Sequence, residues 1–366
     1  MNRILLLIKG LGRGGAEQLL LSAASHLDRD RFEYEVAYLL PWKNALVGSL
    51  EKTGMPVHCL DGARGPGWLT RLRDLVRRRR IELVHSHSPL PAVGSRLALP
   101  ARMRRVYTEH NVWDRYHRAT YWANVLTFPR SDHVFAVSEQ VRESIRYPRG
   151  LRSRRMPPVE TLYHGLDPDA VSGWDGPNGI RQELGIPDDA PVVGTVANFK
   201  AHKGHGHLLH AALRVRAAVP DVRFVFVGTG PLEDEMRSRA REMGLNGNVV
   251  FAGFREDVPR VAGTFDVFCL PSLYEGLSIA LMEAMSLGKP VVVTAVGGQP
   301  EVVTEARDGF LVPPGDPSAL AERLTMLLRD RELRQRLGRN ARQRAAGFDI
   351  RDAVHRIEAV YSEVLG

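Results

Sequence analysis

The chain opens MNRILLLIKGLGRGGAEQLLL (residues 1–21). Ile4 to Ile8 is a short apolar run of the kind that forms a strand buried on both faces, and Ala16 to Leu27 carries helical spacing. Between them Gly10-Leu-Gly12-Arg-Gly14-Gly15 spells G-x-G-x-x-G. A strand, a glycine turn and a helix make the first half of a βαβ unit, whose helix amides face any anion lying beyond the strand. A nicotinamide-type site also needs an acid at the end of the second strand, about 20 residues on, to hold ribose hydroxyls. The second run, Glu33 to Leu40, ends instead in Leu39-Leu40-Pro41-Trp42. The glycines therefore predict a close approach of backbone to an anion and leave the ligand open.

Working outward, the same alternation continues. Further strand candidates are Val57 to Leu60, Glu82 to Ser86, Arg105 to Glu109, His133 to Val137 and Glu160 to Tyr163. They are followed by Val192 to Asn198, Arg223 to Val227, Asn248 to Ala252, Val267 to Leu270, Pro290 to Thr294 and Phe310 to Val312. Helical stretches between them predict two doubly wound α/β units with parallel sheets. At 366 residues the chain exceeds what one core usually serves. The stretch from Asp167 to Gly179, rich in Gly, Pro and Asp, is the linker, giving domains of residues 1–170 and 171–349. The last helix, Ile350 to Leu365, is free to pack on either domain, including back on the first. A cleft between the domains is expected, with ligands beyond the carboxyl ends of the strands.

Composition narrows the class. Cys59 and Cys269 stand far apart in apolar runs, which favours a reducing compartment and two buried thiols. The N-terminal run is too short for a signal peptide, and no segment approaches about 20 apolar residues, so a cytoplasmic protein is expected. Residues 1–170 hold 27 basic and 17 acidic side chains, and the remainder 23 and 25. The excess sits in Arg71, Arg73, Arg77 to Arg80, Arg102, Arg104, Arg105, Arg115, Arg118, Arg149, Arg152, Arg154 and Arg155. A solvated arginine-rich surface is the plain reading. An anionic partner, either a membrane surface or a phosphorylated substrate, is the other.

The densest chemistry lies in Pro271-Ser-Leu-Tyr-Glu275-Gly-Leu-Ser-Ile-Ala-Leu-Met-Glu283-Ala-Met. A strand ends, a loop carries Glu275, and a helix with free amides begins near Leu277. Glu283 falls among apolar neighbours in that helix, where a carboxylate is costly unless satisfied. It is either an acid paired with a nearby base, or a carboxylate that grips two vicinal hydroxyls while the helix terminus takes phosphate.

This stretch, SLYEGLSIALMEAMSLGKPVVVTAVGGQPEVV with Glu275 and Glu283, resembles the retaining nucleotide-sugar glycosyltransferases of family 4, which have the GT-B fold. Segments in the same order carry the resemblance along almost the whole chain. They are GGAEQ, VHSH (84–87), VYTEHN (106–111), VSEQV (137–141), HGLDP (164–168), VANFKAHKG (196–204), VGTGPLEDEM (227–236) and VFAGFREDV (250–258). The resemblance implies two Rossmann-like domains, acceptor on the first and donor on the second. Glu283 would hold the donor ribose and Glu275 the sugar hydroxyls, while Gly276, Leu277 and Ser278 offer amides to the diphosphate and sugar. Lys203 would neutralise the diphosphate. Its usual partner, an arginine five positions earlier, is Asn198 here. Backbone around Gly253 and Phe254 would read the base, and Gly14 and Gly15 would approach the donor diphosphate or the acceptor.

His110, at a strand's carboxyl end, matches the family histidine at the donor sugar; His85, His87 and His164 are structural or acceptor-lining. D-x-D letters occur at Asp28-Arg-Asp30 and Asp167-Pro-Asp169, but the first falls at the amino ends of the strands and the second in the linker. Metal-independent transfer with no cofactor is therefore expected. Trp113 to Phe128 mixes aromatic and basic side chains. It is either a packed helix or, with the arginines from Arg71 to Arg80, an interfacial patch on the inner face of the plasma membrane suited to a lipid-linked acceptor. No nucleic-acid recognition motif occurs. The expected partners are a UDP- or GDP-sugar and a glycan, lipid-linked or small-molecule acceptor. Two other readings keep the fold: epimerisation or hydrolysis of a nucleotide sugar, and non-catalytic nucleotide-sugar binding, to which Asn198 points.

Overall fold

The computed structural model describes residues 1–148, 156–167, 169 and 179–366. Arg149, Arg152, Arg154, Arg155 and most of the linker lie outside the described residues. The apolar runs become strands wherever they are expected. In the first unit these are β1 (Asn2–Ile8), β2 (Phe32–Tyr38), β3 (Val57–Cys59), β4 (Leu83–His87), β5 (Arg104–Glu109), β6 (His133–Ala136) and β7 (Val159–Thr161). In the second they are β8 (Val192–Val196), β9 (Arg223–Val227), β10 (Val249–Gly253), β11 (Val267–Leu270), β12 (Val291–Thr294) and β13 (Gly309–Val312).

The sheet orders are β3-β2-β1-β4-β5-β6-β7 and β10-β9-β8-β11-β12-β13. The strands pair in parallel in both. Each chain segment starts at the sheet centre, winds to one edge, then returns and winds to the other. Loops at the carboxyl ends therefore diverge between β1 and β4, and between β8 and β11, leaving a crevice at each switch point.

The units are Met1–Asp167 with Asp349–Gly366, and Pro168–Phe348. The last helix, Ile350–Leu365, thus belongs to the first unit. Buried Glu358 accepts from the Tyr34 hydroxyl (2.7 Å) and the Asp28 amide (2.8 Å), and Arg356 clamps Glu160 at 2.8 and 2.7 Å. In the second unit, Leu208, Leu209, Ala212 and Val215 of the His205–Ala218 helix pack with Leu320, Leu324 and Leu327 against Phe224 and Phe226.

The expectation of two buried thiols is corrected. Cys59 ends the short edge strand β3 and is exposed, since an edge strand has one side without a neighbour, whereas Cys269 in β11 is buried. Of the aromatic segment, Trp113 and Phe128 are fully buried, so the patch keeps Trp122 and Leu126 as exposed large apolar groups. Arg71, Arg73 and Arg79 of its basic half are engaged by the carbonyls of Leu60, Asp61 and Ala98 and by Glu35. Among the described residues no helix is long and apolar enough to cross a membrane. Asp28 serves its own turn, accepting from the amides of Asp30 and Arg31 at 3.1 Å each.

Candidate functional site

At the second switch point, β8 runs into Ala197–Lys200, a single 3-10 turn (Ala201–Lys203) and the His205–Ala218 helix; β11 runs into Pro271–Ser278 and the Ile279–Ser286 helix. The two loops are fastened together. The Leu273 amide donates to the His202 carbonyl (2.7 Å), and the His202 and Tyr274 rings stack at 4.6 Å. Gly204 turns at φ +70°, and a Cβ there would stand 1.9 Å from the Pro271 carbonyl oxygen, so only glycine permits this approach. On the other side Gly298 donates to the Gly276 carbonyl at 2.6 Å.

This fastening brings together Lys203 and Glu275, 72 positions apart in sequence: Nζ lies 2.5 Å from Oε1, which also accepts from Ser272 Oγ at 2.7 Å. Their side chains are 19% and 9% exposed, so the pair is shielded and has one geometry. Ser278 caps the Ile279–Ser286 helix, its Oγ accepting from the Leu281 amide. The amides of Gly276, Leu277 and Ser278 donate no hydrogen bond among the described residues. Open amides at the positive end of a helix dipole are able to take an anion.

Glu283, one turn inside that helix, is half-buried, and its carboxylate has no hydrogen bond or ion pair among the described residues. Burial pushes it up to about 7. The paired-acid reading of Glu283 therefore fails. Asn198 follows β8 and Gly253 ends β10, its carbonyl accepting from the Gly228 amide (2.8 Å). Phe254 comes next, half-buried, ahead of Arg255, which is held by Asp257 and Glu183. Gln299, beside Gly298, is fully buried with both amide atoms unpartnered among the described residues. Neither it nor Ser272 was apparent from the sequence, although Ser272 stands three residues before Glu275.

Gly14, Gly15 and His110 belong to the first unit. Gly14 is the N-cap of the Gly15–Ala24 helix, at the carboxyl end of β1. His110 follows β5 in a stack of imidazoles. Ring centroids of His85 and His87 lie 4.5 Å apart, and those of His87–His110 and His110–His164 each 5.5 Å. His85 is structural, tied to the hydroxyls of Tyr361 (2.6 Å) and Thr108 (2.7 Å). His110 Nε2 meets His87 Nδ1 at 3.2 Å, leaving Nδ1 of His110 without a hydrogen bond among the described residues. Burial lowers His85 to about 3 and His110 to about 4, and holds His87 and His164 well below 6.5, so all four are neutral at pH 7.

The carboxylate of Glu109 anchors this loop. It accepts from Tyr107 (2.6 Å), the Trp113 indole (2.9 Å), the Asn111 amide (3.2 Å) and the Tyr116 hydroxyl. Trp113 is buried because its indole nitrogen finds an acceptor inside.

Comparison with known proteins bears on this arrangement. The family model described as Glycosyltransferase Family 4 matches residues 13–170, and that described as Glycosyl transferases group 1 matches residues 178–344. The putative glycosyltransferase EpsD of Bacillus subtilis is 25% identical over 314 residues, covering 80% of this chain and 79% of its own length. The alpha-D-kanosaminyltransferase of Streptomyces kanamyceticus is 26% identical over 317 residues, covering 81% of each. The crystal structure of Anabaena HepE in complex with UDP and glucose superimposes with a TM-score of 0.86 at 25% identity, over 99% of this chain and 100% of that one. With the two models in tandem spanning most of its length, the chain belongs to the group 1, family 4 glycosyltransferases of GT-B fold.

Proposed function

We propose that the protein transfers a sugar, with retention at the anomeric carbon and without a metal ion, from a nucleoside diphosphate sugar to a hydroxyl of a glycan, lipid-linked or small-molecule acceptor. The observation that carries this is one cation (Lys203) and three undonated amides (Gly276, Leu277, Ser278) on two fastened loops, followed by one unpartnered carboxylate (Glu283) in the next helix. A diphosphate needs the first two and a ribose diol the third. UDP- and GDP-sugars both meet these demands; the similar HepE, held with UDP and glucose, favours uridine.

In this reading Lys203 and Glu275 neutralise each other before the donor arrives, which keeps both desolvated groups in place. The diphosphate then takes the ammonium and the sugar hydroxyls take the Glu275 carboxylate. Gly253 and Phe254 present backbone to the base, Asn198 contributes an amide, and neutral His110 offers Nδ1 to the sugar. Gly14 and Gly15 present amides to donor or acceptor. The acceptor oxygen bonds to the anomeric carbon on the face from which the phosphate oxygen departs, and that oxygen receives the acceptor proton. Lys203 and the helix amides stabilise the charge that develops on the leaving diphosphate.

Nucleotide release from UDP- and GDP-sugars, assayed with and without acceptors and with EDTA, tests the reading. Acceptor-dependent release that survives EDTA, giving product of unchanged anomeric configuration by NMR, is expected. Release independent of acceptor would indicate hydrolysis, and inversion would remove the front-face route.

A further inference from the structure

At the amino edge of the first sheet the helices Pro89–Ala98 and Arg118–Thr127 end and β5 and β6 begin. A cavity of about 310 Å³ opens there, lined by Arg96, Leu99, Arg105, Arg130, Ser131 and Asp132 among others. Arg96 is 1% exposed. Its Nε donates to Ser131 Oγ (3.0 Å) and Nη1 to Asn124 Oδ1 (2.6 Å), and the guanidinium lies 4.7 Å over the Tyr107 ring. Among the described residues no carboxylate pairs with it, and its Nη2 and the neighbouring Asn124 Nδ2 are buried without an acceptor. Burial lowers Arg96 to about 10, which leaves it cationic at neutral pH.

Arg105 is also buried. Its guanidinium is fixed by the carbonyls of Met103 (2.8 Å), Leu99 (2.9 Å) and Pro100 (2.6 Å), which orient the charge without neutralising it. Arg130 donates to the Arg96 carbonyl at 3.0 Å. Asp132 opposes these three cations, but it is drawn to the Arg105 amide (2.8 Å) and toward Arg104 (3.7 Å). A buried cation with an unfilled donor is costly unless something pairs with it.

We infer that this cavity binds a phosphate-class anion, at the edge of the first sheet opposite the histidine stack. Arg96 and Arg105 supply fixed charge, the Ser131 hydroxyl a donor, and Arg130 an exposed cation at the mouth. The anion is either a free phosphate or a phospholipid headgroup. Exposed Leu97 and Leu126, near the ends of the same two helices, would enter the acyl boundary in the second case.

The test uses the full chain carrying Lys203→Ala, so that phosphate captured beside the Ile279–Ser286 helix does not contribute. Inorganic phosphate, against chloride at equal ionic strength, is expected to raise Tm by about 2–4 °C. Adding Arg130→Ala, at an exposed position, should abolish the rise. For the lipid source, flotation with phosphatidylglycerol vesicles but not phosphatidylcholine vesicles, lost in Arg130→Ala, is expected in place of the Tm rise. The inference is overturned if neither effect occurs, or if Arg130→Ala leaves both unchanged.

Discussion

The carboxyl edges of the two sheets share a strand order and differ in chemistry. In the second unit the switch-point loops and the helix after them present charge: a shielded Lys203–Glu275 pair, open amides and the lone Glu283. In the first they present four stacked, neutral imidazoles backed by a Glu109 whose carboxylate is fully occupied by four donors. The winding decides where a ligand can sit, because it decides where loops part. Side chains on those loops decide what sits there. Charge and unfilled donors suit a diphosphate, whereas uncharged rings suit hydroxyls that must be oriented without being ionised.

The sharpest way to break this contrast is Lys203→Ala, expected to lower kcat by about 10² to 10³, as loss of one preorganised charged donor does. Steady-state nucleotide release measures it, and a loss under tenfold would move the diphosphate elsewhere. His110→Ala should cost about tenfold, one neutral hydrogen bond to the sugar, with little change in nucleotide affinity. Equal losses of turnover and nucleotide affinity would mean that His110 touches the nucleotide.

The two edges should also titrate with opposite sign. The histidines, held below 6.5 in the fold, contribute stability above that pH and lose it as pH falls below 6.5. Glu283, at about 7 against an ordinary 4.5, contributes below 4.5 and loses its contribution as pH rises through 7. Urea unfolding of Glu283→Gln should therefore gain on the wild type by about 1–3 kcal/mol between pH 4.5 and 8. A constant difference would show that the carboxylate is not desolvated. The smallest effect is release of less than one proton when a nucleotide binds at pH 7, because ribose hydroxyls donating to Glu283 lower its pKa. Calorimetry in buffers of different ionisation enthalpy detects it, and Glu283→Gln should remove it.

The strands were legible because parallel strands buried on both faces read as unbroken apolar runs, so β1, β8 and β11 declared themselves. Their ends were less so: β8 stops at Val196, two residues short of the Asn198 to which the sequence extends it. Among site residues, Glu275, Glu283 and Lys203 were visible through the family resemblance, but their pairing was not. Nothing local signals that Lys203 meets Glu275 and Glu283 meets nothing, since loops parting at a switch point make those contacts. The same holds for Trp113, buried by an acceptor that its own composition does not reveal, and for Arg96, whose unfilled donor depends on the packing of two helices. The G-x-G-x-x-G marked a helix N-terminus correctly, while the grouping of cation, amides and carboxylate formed in the other unit.

In this reading the second unit holds the nucleotide and the first does not grip it by charge. Titration calorimetry of UDP and GDP against wild type, Lys203→Ala and His110→Ala tests this most directly. Lys203→Ala is expected to weaken binding of the preferred nucleotide at least about tenfold, and His110→Ala to change it less than about twofold. The reverse order, or no nucleotide binding by the wild type, would contradict it.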